Sequence, residues 1–169
     1  VSYQDFKSPE PYPVLFHPYY LKQYNGRWFV FGYDEHTDQI RNLALDRIQE
    51  FVKTTKAYRK TDIIWENEEE GYFDDIIGVS KPYEGEIQNI ELLFDIDRAP
   101  YVETKPIHPS QSSSRVEKGL IVKLKVIPNF ELEQQILSFG ESVKVISPQF
   151  LAEKIQSRLT SALAHYEKK

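Results

Sequence analysis

His17-Pro18-Tyr19-Tyr20-Leu21-Lys22-Gln23-Tyr24-Asn25-Gly26-Arg27-Trp28-Phe29-Val30, followed by Arg41-Asn42-Leu43-Ala44-Leu45-Asp46-Arg47-Ile48, decides how this chain is read. Asn25-Gly26 lies between two runs rich in aromatic and β-branched residues. A type I′ turn needs positive φ at both central positions, which Asn and Gly tolerate, so the pair is a strong hairpin signal. Residues 14–24 and 27–33 are expected as its two strands. On the return strand Trp28, Val30 and Gly32 share one face and Phe29, Phe31 and Tyr33 the other. Both faces are apolar or aromatic, so both are expected to be covered. Residues 39–53 read as a further strand, on which Arg41, Leu43, Leu45 and Arg47 share a face if no bulge intervenes.

Upstream, residues 1–6 alternate weakly and suit an edge strand, and Pro9, Pro11 and Pro13 break the pattern into a loop. Downstream, residues 61–84 are acidic and carry scattered apolar side chains such as Ile63, Trp65, Tyr72 and Phe73. They suit a linker with short helical segments that packs on something. Residues 85–97 alternate as a strand, and residues 106–114 read as a polar loop. In residues 119–127 Leu120, Val122, Leu124 and Val126 fall on one face and Lys123 and Lys125 on the other. Asn129 is placed to cap a helix bearing Leu132, Ile136 and Phe139, with Gly140 where a C′ glycine belongs. After a short strand at 143–146, Ser147-Pro148 reads as an N-cap and proline at N1, with Ile146 and Leu151 as a hydrophobic staple. Leu151, Ile155, Leu159, Ala162, Leu163 and Tyr166 then form a helical apolar stripe. This β-β-α-β-α ending is compatible with a ferredoxin-like split βαβ arrangement.

Composition narrows the function classes. The 169 residues suit one large domain or two small ones, and 40% hydrophobic content supports packed cores. There is no cysteine, which excludes disulfides and thiolate metal sites and fits a cytoplasmic location. No apolar run approaches the roughly 18 residues that span a bilayer, so no membrane partner is expected. The chain begins at Val1 and lacks methionine, as expected of a piece of something longer. The net charge of −5 hides a segregation, +2 over residues 1–60, −10 over 61–100 and +3 over 101–169. A nonspecific nucleic-acid binder is usually basic overall, so any anion site must be local and built from a few cations.

The proline-led strand, the turn, the Trp28-Phe29-Val30 strand and the Arg41 to Ile48 motif together resemble the WYL domain. Members commonly carry Trp-Tyr-Leu and then Arg-x-Phe-Arg-Leu-Asp-Arg-Ile. Here only Trp28 of the triplet matches, and Ala44 stands where a second Arg is frequent. The helix at 132–140 and the strand at 143–148 resemble the C-terminal extension called WCX. These resemblances imply an α+β chain, an Sm-like or SH3-like small β-barrel over residues 1–60 followed, after the acidic linker 61–84, by a ferredoxin-like domain over 85–169. They also imply a fragment of a transcription regulator that senses a nucleotide or single-stranded nucleic acid and forms a homodimer. An N-terminal DNA-binding domain, which family members typically carry, is not encoded here.

Arg41 and Arg47 are the leading ligand candidates, since a guanidinium fork suits phosphate or carboxylate. The alternative pairs Arg47 with Asp46, Glu50 or Asp34 as surface ion pairs. Trp28 can stack a base or sit in the core beside Phe29 and Phe31. His17, Lys22 and Arg27 complete the candidate set. No enzyme is expected, and no cofactor or metal. The four histidines are scattered, and the G-x-S-x-G, P-loop and G-x-G-x-x-G motifs are missing. Glu68-Glu69-Glu70 and Asp74-Asp75 lack the order of an EF-hand and read as a solvated acidic face. Ser110 and His108, two apart in a loop, are not expected to align as a nucleophile pair. The competing function is a protein-interaction or dimerisation module with no small ligand, in which the acidic segment and aromatic surface make the contact.

Overall fold

Two three-stranded antiparallel sheets build the first unit of the chain, Val1–Tyr72, in a computed structural model that describes residues 1–66 and 71–167. Its strands are β1 (Ser2–Tyr3), β2 (Tyr12–Pro13), β3 (Phe16–Tyr24), β4 (Arg27–Asp34), β5 (Gln39–Ala44) and β6 (Ile48–Glu50). One sheet runs β2-β1-β6 and the other β3-β4-β5. Asn25 and Gly26 take φ of 48° and 76°, the positive pair that a type I′ turn requires, and they set the register Tyr24 opposite Arg27. Val30 lies across from both Leu21 and Leu43. Val30 and Leu43 bury with Tyr3 and Val14 into a small core, against which Tyr12, Phe16 and Ile48 pack.

The opposite face of β4 is also covered, as its aromatic residues require. Trp65 lies 5.9 Å from the Phe31 ring, stacks on Tyr20 at 5.4 Å with 6° between planes, and meets Tyr72 at 4.9 Å. Residues from the acidic stretch therefore belong to this unit's packing. Its described part consists of irregular chain, bends and turns and carries no helix, contrary to the short helical segments expected of residues 61–84.

Three expectations for this half are corrected. The two sheets do not close into a barrel, because β1 and β2, two residues each, are too short to join the ladders around. Residues 39–53 are not one strand. β5 ends at Ala44, residues Leu45–Arg47 form a 3-10 turn closed by the Ile48 N–H on the Leu45 carbonyl, and β6 then pairs with β1 in the other sheet. β1 is accordingly a central strand and not an edge.

The second unit, Phe73–Lys169, contains β7 (Gln88–Phe94), α1 (Ala99–Thr104), β8 (Ser112–Val116), β9 (Gly119–Val126), α2 (Phe130–Leu137), β10 (Val143–Ser147) and α3 (Gln149–Glu167). Its antiparallel sheet runs β10-β7-β9-β8, the order of two interleaved βαβ units. Ile90, Leu92 and Phe94 of β7 face Leu124, Val122 and Leu120 of β9, and all six are fully buried under Leu132, Ile136, Leu151 and Ile155 of the helices. Burying each such side chain is worth about 1.5–3 kcal/mol. Asn129 caps α2 by accepting the Leu132 N–H at 2.9 Å, and its amide donates to the Ile77 and Ser80 carbonyls at 2.7 and 2.9 Å. One side chain thus starts a helix and pins the preceding loop.

α1 and β8 have no counterpart in the sequence expectations, which placed a polar loop at 106–114. Ser112-Ser113-Ser114 is a poor strand by propensity and becomes one by pairing with β9 along the sheet edge. The start of α3 also differs. Ser147 is the last residue of β10, the Pro148 carbonyl accepts the Leu151 and Ala152 N–H groups, and Ile146 lies on the exposed side of its strand, so it does not staple the helix.

Candidate functional site

The strand ladder sorts five of the six sequence candidates into two places, and Arg47 lies in the 3-10 turn outside it. His17 and Arg41 stand toward one end of the β3-β4-β5 sheet, opposite Tyr33 and Gly32. Lys22, Arg27 and Trp28 stand at the hairpin end, where Lys22 faces Phe29 and Trp28 faces Gln23. Gly32 is four residue steps along β4 from Trp28, roughly 13 Å at about 3.3 Å per residue. A groove containing all six is therefore not what the fold builds.

At the first end the cations are already engaged. Arg41 Nη1 donates to Asp34 Oδ2 at 2.7 Å and its Nη2 to the Tyr12 hydroxyl at 3.3 Å. His17 is buried. The Arg59 N–H donates to its Nδ1 at 3.0 Å, so the ring carries its hydrogen on Nε2, which donates to Glu35 at 2.8 Å. Glu35 also accepts from Lys56 Nζ at 2.6 Å, and Lys56 and then His17 hold its carboxyl below the usual range. These are structural networks with both partners named.

The hairpin end is different. Trp28 is 48% exposed, far from the core position that the alternative assigned it. Arg27 pairs with Asp46 at 3.2 Å, both exposed, which seats the 3-10 turn beside the hairpin. Arg47, next along that turn, lays its guanidinium carbon 3.8 Å from the ring centre of Phe6, an exposed side chain. Its Nε is buried and has no hydrogen-bond partner among the described residues. Two of the three acid partners proposed for Arg47 are paired elsewhere, Asp46 with Arg27 and Asp34 with Arg41. Arg41 and Arg47 do not share a strand face, because the 3-10 turn intervenes.

Sequence reasoning missed Phe6 and Glu35, and set Asp34 against Arg47 where the structure pairs it with Arg41. Asp34 closes a strand of alternating aromatics, a weak sign of a buried partner. Ser110 and His108 are also closer than loop spacing suggested, with Ser110 Oγ 2.9 Å from His108 Nδ1. The Ser110 hydroxyl accepts the Lys125 N–H at 3.0 Å, so it prolongs the pairing along β9 beyond Ser112, the first residue of β8. Among the described residues no cluster of three or more His, Cys, Asp or Glu could hold a metal ion. No described helix is long and apolar enough to cross a membrane. Glu68-Glu69-Glu70 lie outside the described residues.

Two antiparallel-sheet units, one with a cation- and aromatic-lined end and one with interleaved βαβ order, make an α+β chain without a recognisable catalytic constellation among the described residues. The chain carries a WYL domain over residues 1–52 and a WCX domain over residues 86–163. Among solved structures it is similar to Proteasome accessory factor B/C (PafBC) of Arthrobacter aurescens, at 16% identity and a TM-score of 0.41. That similarity covers 99% of this chain and 24% of the other, so the chain spans about a quarter of that protein's length. A comparison with curated proteins finds no match.

Proposed function

We propose that the chain is the ligand-sensing part of a WYL-type transcription regulator, and that its first unit holds a nucleotide or short single-stranded nucleic acid at the hairpin end. The observation that supports this reading is the half-exposed Trp28 ring at the hairpin end, where the preceding residue Arg27 pairs with Asp46 of the turn whose Arg47 stacks on Phe6. Exposed aromatic faces accept bases by stacking, and guanidinium groups answer phosphate, without any need for an overall basic chain. In this reading Lys22 and Arg47 add charge, while Arg41 and His17 hold the sheet together. Operator binding would belong to a separate DNA-binding domain, whose affinity follows the population of one ligand-favoured arrangement.

The second unit would pair two copies. What supports a homodimer is the outer half of α3, where Leu159, Leu163 and Tyr166 are exposed on the stripe that begins with buried Leu151 and Ile155. The same surface favours the second reading, a protein-interaction module with no small ligand.

The two readings separate in one titration. Adding a short oligothymidylate should quench Trp28 fluorescence in a saturable, salt-sensitive way, and the signal should vanish in Trp28→Phe while Trp65 still reports an intact first unit. Arg27→Ala should weaken the binding severalfold. No salt-sensitive change with oligothymidylate or with a panel of nucleotides would favour the interaction module.

A further inference from the structure

The first unit holds a concave feature away from the aromatic face that Trp65 covers. It is a groove of about 670 Å³ whose apolar wall includes Leu21, Val30, Leu45, Ile48, Phe51 and Val52. That volume is in the range of small-molecule sites. Phe51 and Val52 are 82% and 68% exposed, in an irregular segment with no apolar partner to bury them. Apolar side chains gathered at one concavity and left in water are the usual mark of a surface that something covers.

The polar atoms on the lining define what that something is. His17 uses both ring nitrogens, on Glu35 and the Arg59 N–H. Lys56 is engaged by Glu35 at 2.6 Å, and its backbone N–H donates to the Thr54 hydroxyl at 3.3 Å. Lys53 remains, an exposed ammonium with no partner among the described residues, and no carboxylate lines the groove. The Val1 ammonium also lines the groove and donates to the Val14 carbonyl at 2.8 Å. An apolar wall with one free side-chain ammonium, and no carboxylate, fits a ligand with an apolar body and one negative head. A nucleotide does not fit, because its polar base and several charges would be buried without partners. An amine would meet Lys53 as a like charge.

We infer that this groove binds a small monocarboxylate with an apolar body, its chain along Leu21, Val30 and Ile48 and its head on Lys53. Its lining does not include Trp28, Arg27 or Arg47, and the inference does not rest on the nucleic-acid reading.

The test is calorimetric titration of the chain with decanoate below its micelle threshold, beside decanol as the neutral isostere. Decanoate should bind saturably at one site per chain. Lys53→Met should weaken it about fivefold, the size of one exposed ion pair, and leave decanol unchanged. Val52→Glu, at an exposed position, should abolish decanoate binding while circular dichroism and the oligothymidylate titration stay as in the wild type. Equal binding of decanoate and decanol, or no effect of Lys53→Met, would overturn the assignment of the head. Absence of saturable decanoate binding would overturn the site, whatever the oligothymidylate result, and would leave the groove to be covered by polypeptide.

Discussion

Arg41 reaches Asp34 across 2.7 Å, and Asp34 is 1% exposed. Asp34 also accepts the His36 N–H at 2.9 Å, so the pair fastens the start of β5 to the end of β4 around the intervening turn. A guanidinium that reads as a ligand contact from its motif is thus a fastening of the sheet.

Arg41→Ala is therefore a stability variant. It leaves a buried carboxylate with one of its charge-assisted bonds removed, which costs about 1.5–3 kcal/mol. A urea unfolding curve should show that loss, while oligothymidylate affinity stays within about twofold of wild type. Arg27→Ala should do the reverse. Its pair with Asp46 is exposed and worth at most about 1 kcal/mol, so unfolding should barely move while binding weakens.

The apolar stripe on α3 divides at Ile155. Leu151 is 1% exposed and Leu159 45%. Leu151→Ala should cost about 2–5 kcal/mol by the lost burial and the cavity it leaves. Leu159→Glu should leave the unfolding of a single copy nearly unchanged and shift sedimentation toward the monomer if two copies share this face. An unchanged sedimentation profile would remove Leu159 from any interface.

Gly119 takes φ of +140°, at the turn between β8 and β9. A Cβ there would sit 1.9 Å from the Phe94 carbonyl oxygen, a backbone atom of the central strand β7. Gly119→Ala combines an unfavourable backbone angle with a clash that cannot be relieved by a side chain moving. A loss of about 3 kcal/mol or more is expected in thermal unfolding. Gly26, whose added Cβ would meet nothing within 4 Å, should tolerate the same change with only its turn strain.

His108 is buried, and burial pushes its pKa below the ordinary histidine value, against the opposing pull of Asp74, Asp75 and a hydrogen bond with the Ile76 backbone. The unfolded chain then binds more protons than the folded one in the window below about pH 6.5. Stability from this residue is full above that value and falls as the pH drops through the window. His108→Gln should flatten the dependence of the unfolding midpoint between about pH 7.5 and about pH 5.5. An identical slope in the variant would assign the acid sensitivity to other groups.

The features legible in the sequence are the ones written within a few residues. Asn25-Gly26 needs only its own two φ angles, and the turn is there. Asn129 needs only an N–H three residues on, and Leu132 supplies it. The alternation of Leu120, Val122, Leu124 and Val126 needs only the pleat, and all four are buried on one face. The interruption of the third strand was not legible. Leu45-Asp46-Arg47 has only Asp46 to suggest a turn and no Gly, Pro or Asn, and the 3-10 turn exists because β6 pairs with β1 in a different sheet. β8 was hidden for the same reason, since three serines become a strand only by lying along β9.

By itself, then, the sequence determined the hairpin, the cap of α2, the clean alternation of β9 and the apolar stripe of α3, because backbone angles and side-chain spacing are set locally. The fate of each charge was decided in three dimensions. His17 receives its hydrogen bond from Arg59, 42 residues away, and Arg41 meets the hydroxyl of Tyr12, 29 residues away. Coulomb and hydrogen-bond energies depend on distance through space and on burial, and neither is fixed until the sheets have packed. That is why Arg41 and His17 became fastenings, and why Trp28, Arg27 and Lys53 were left facing water.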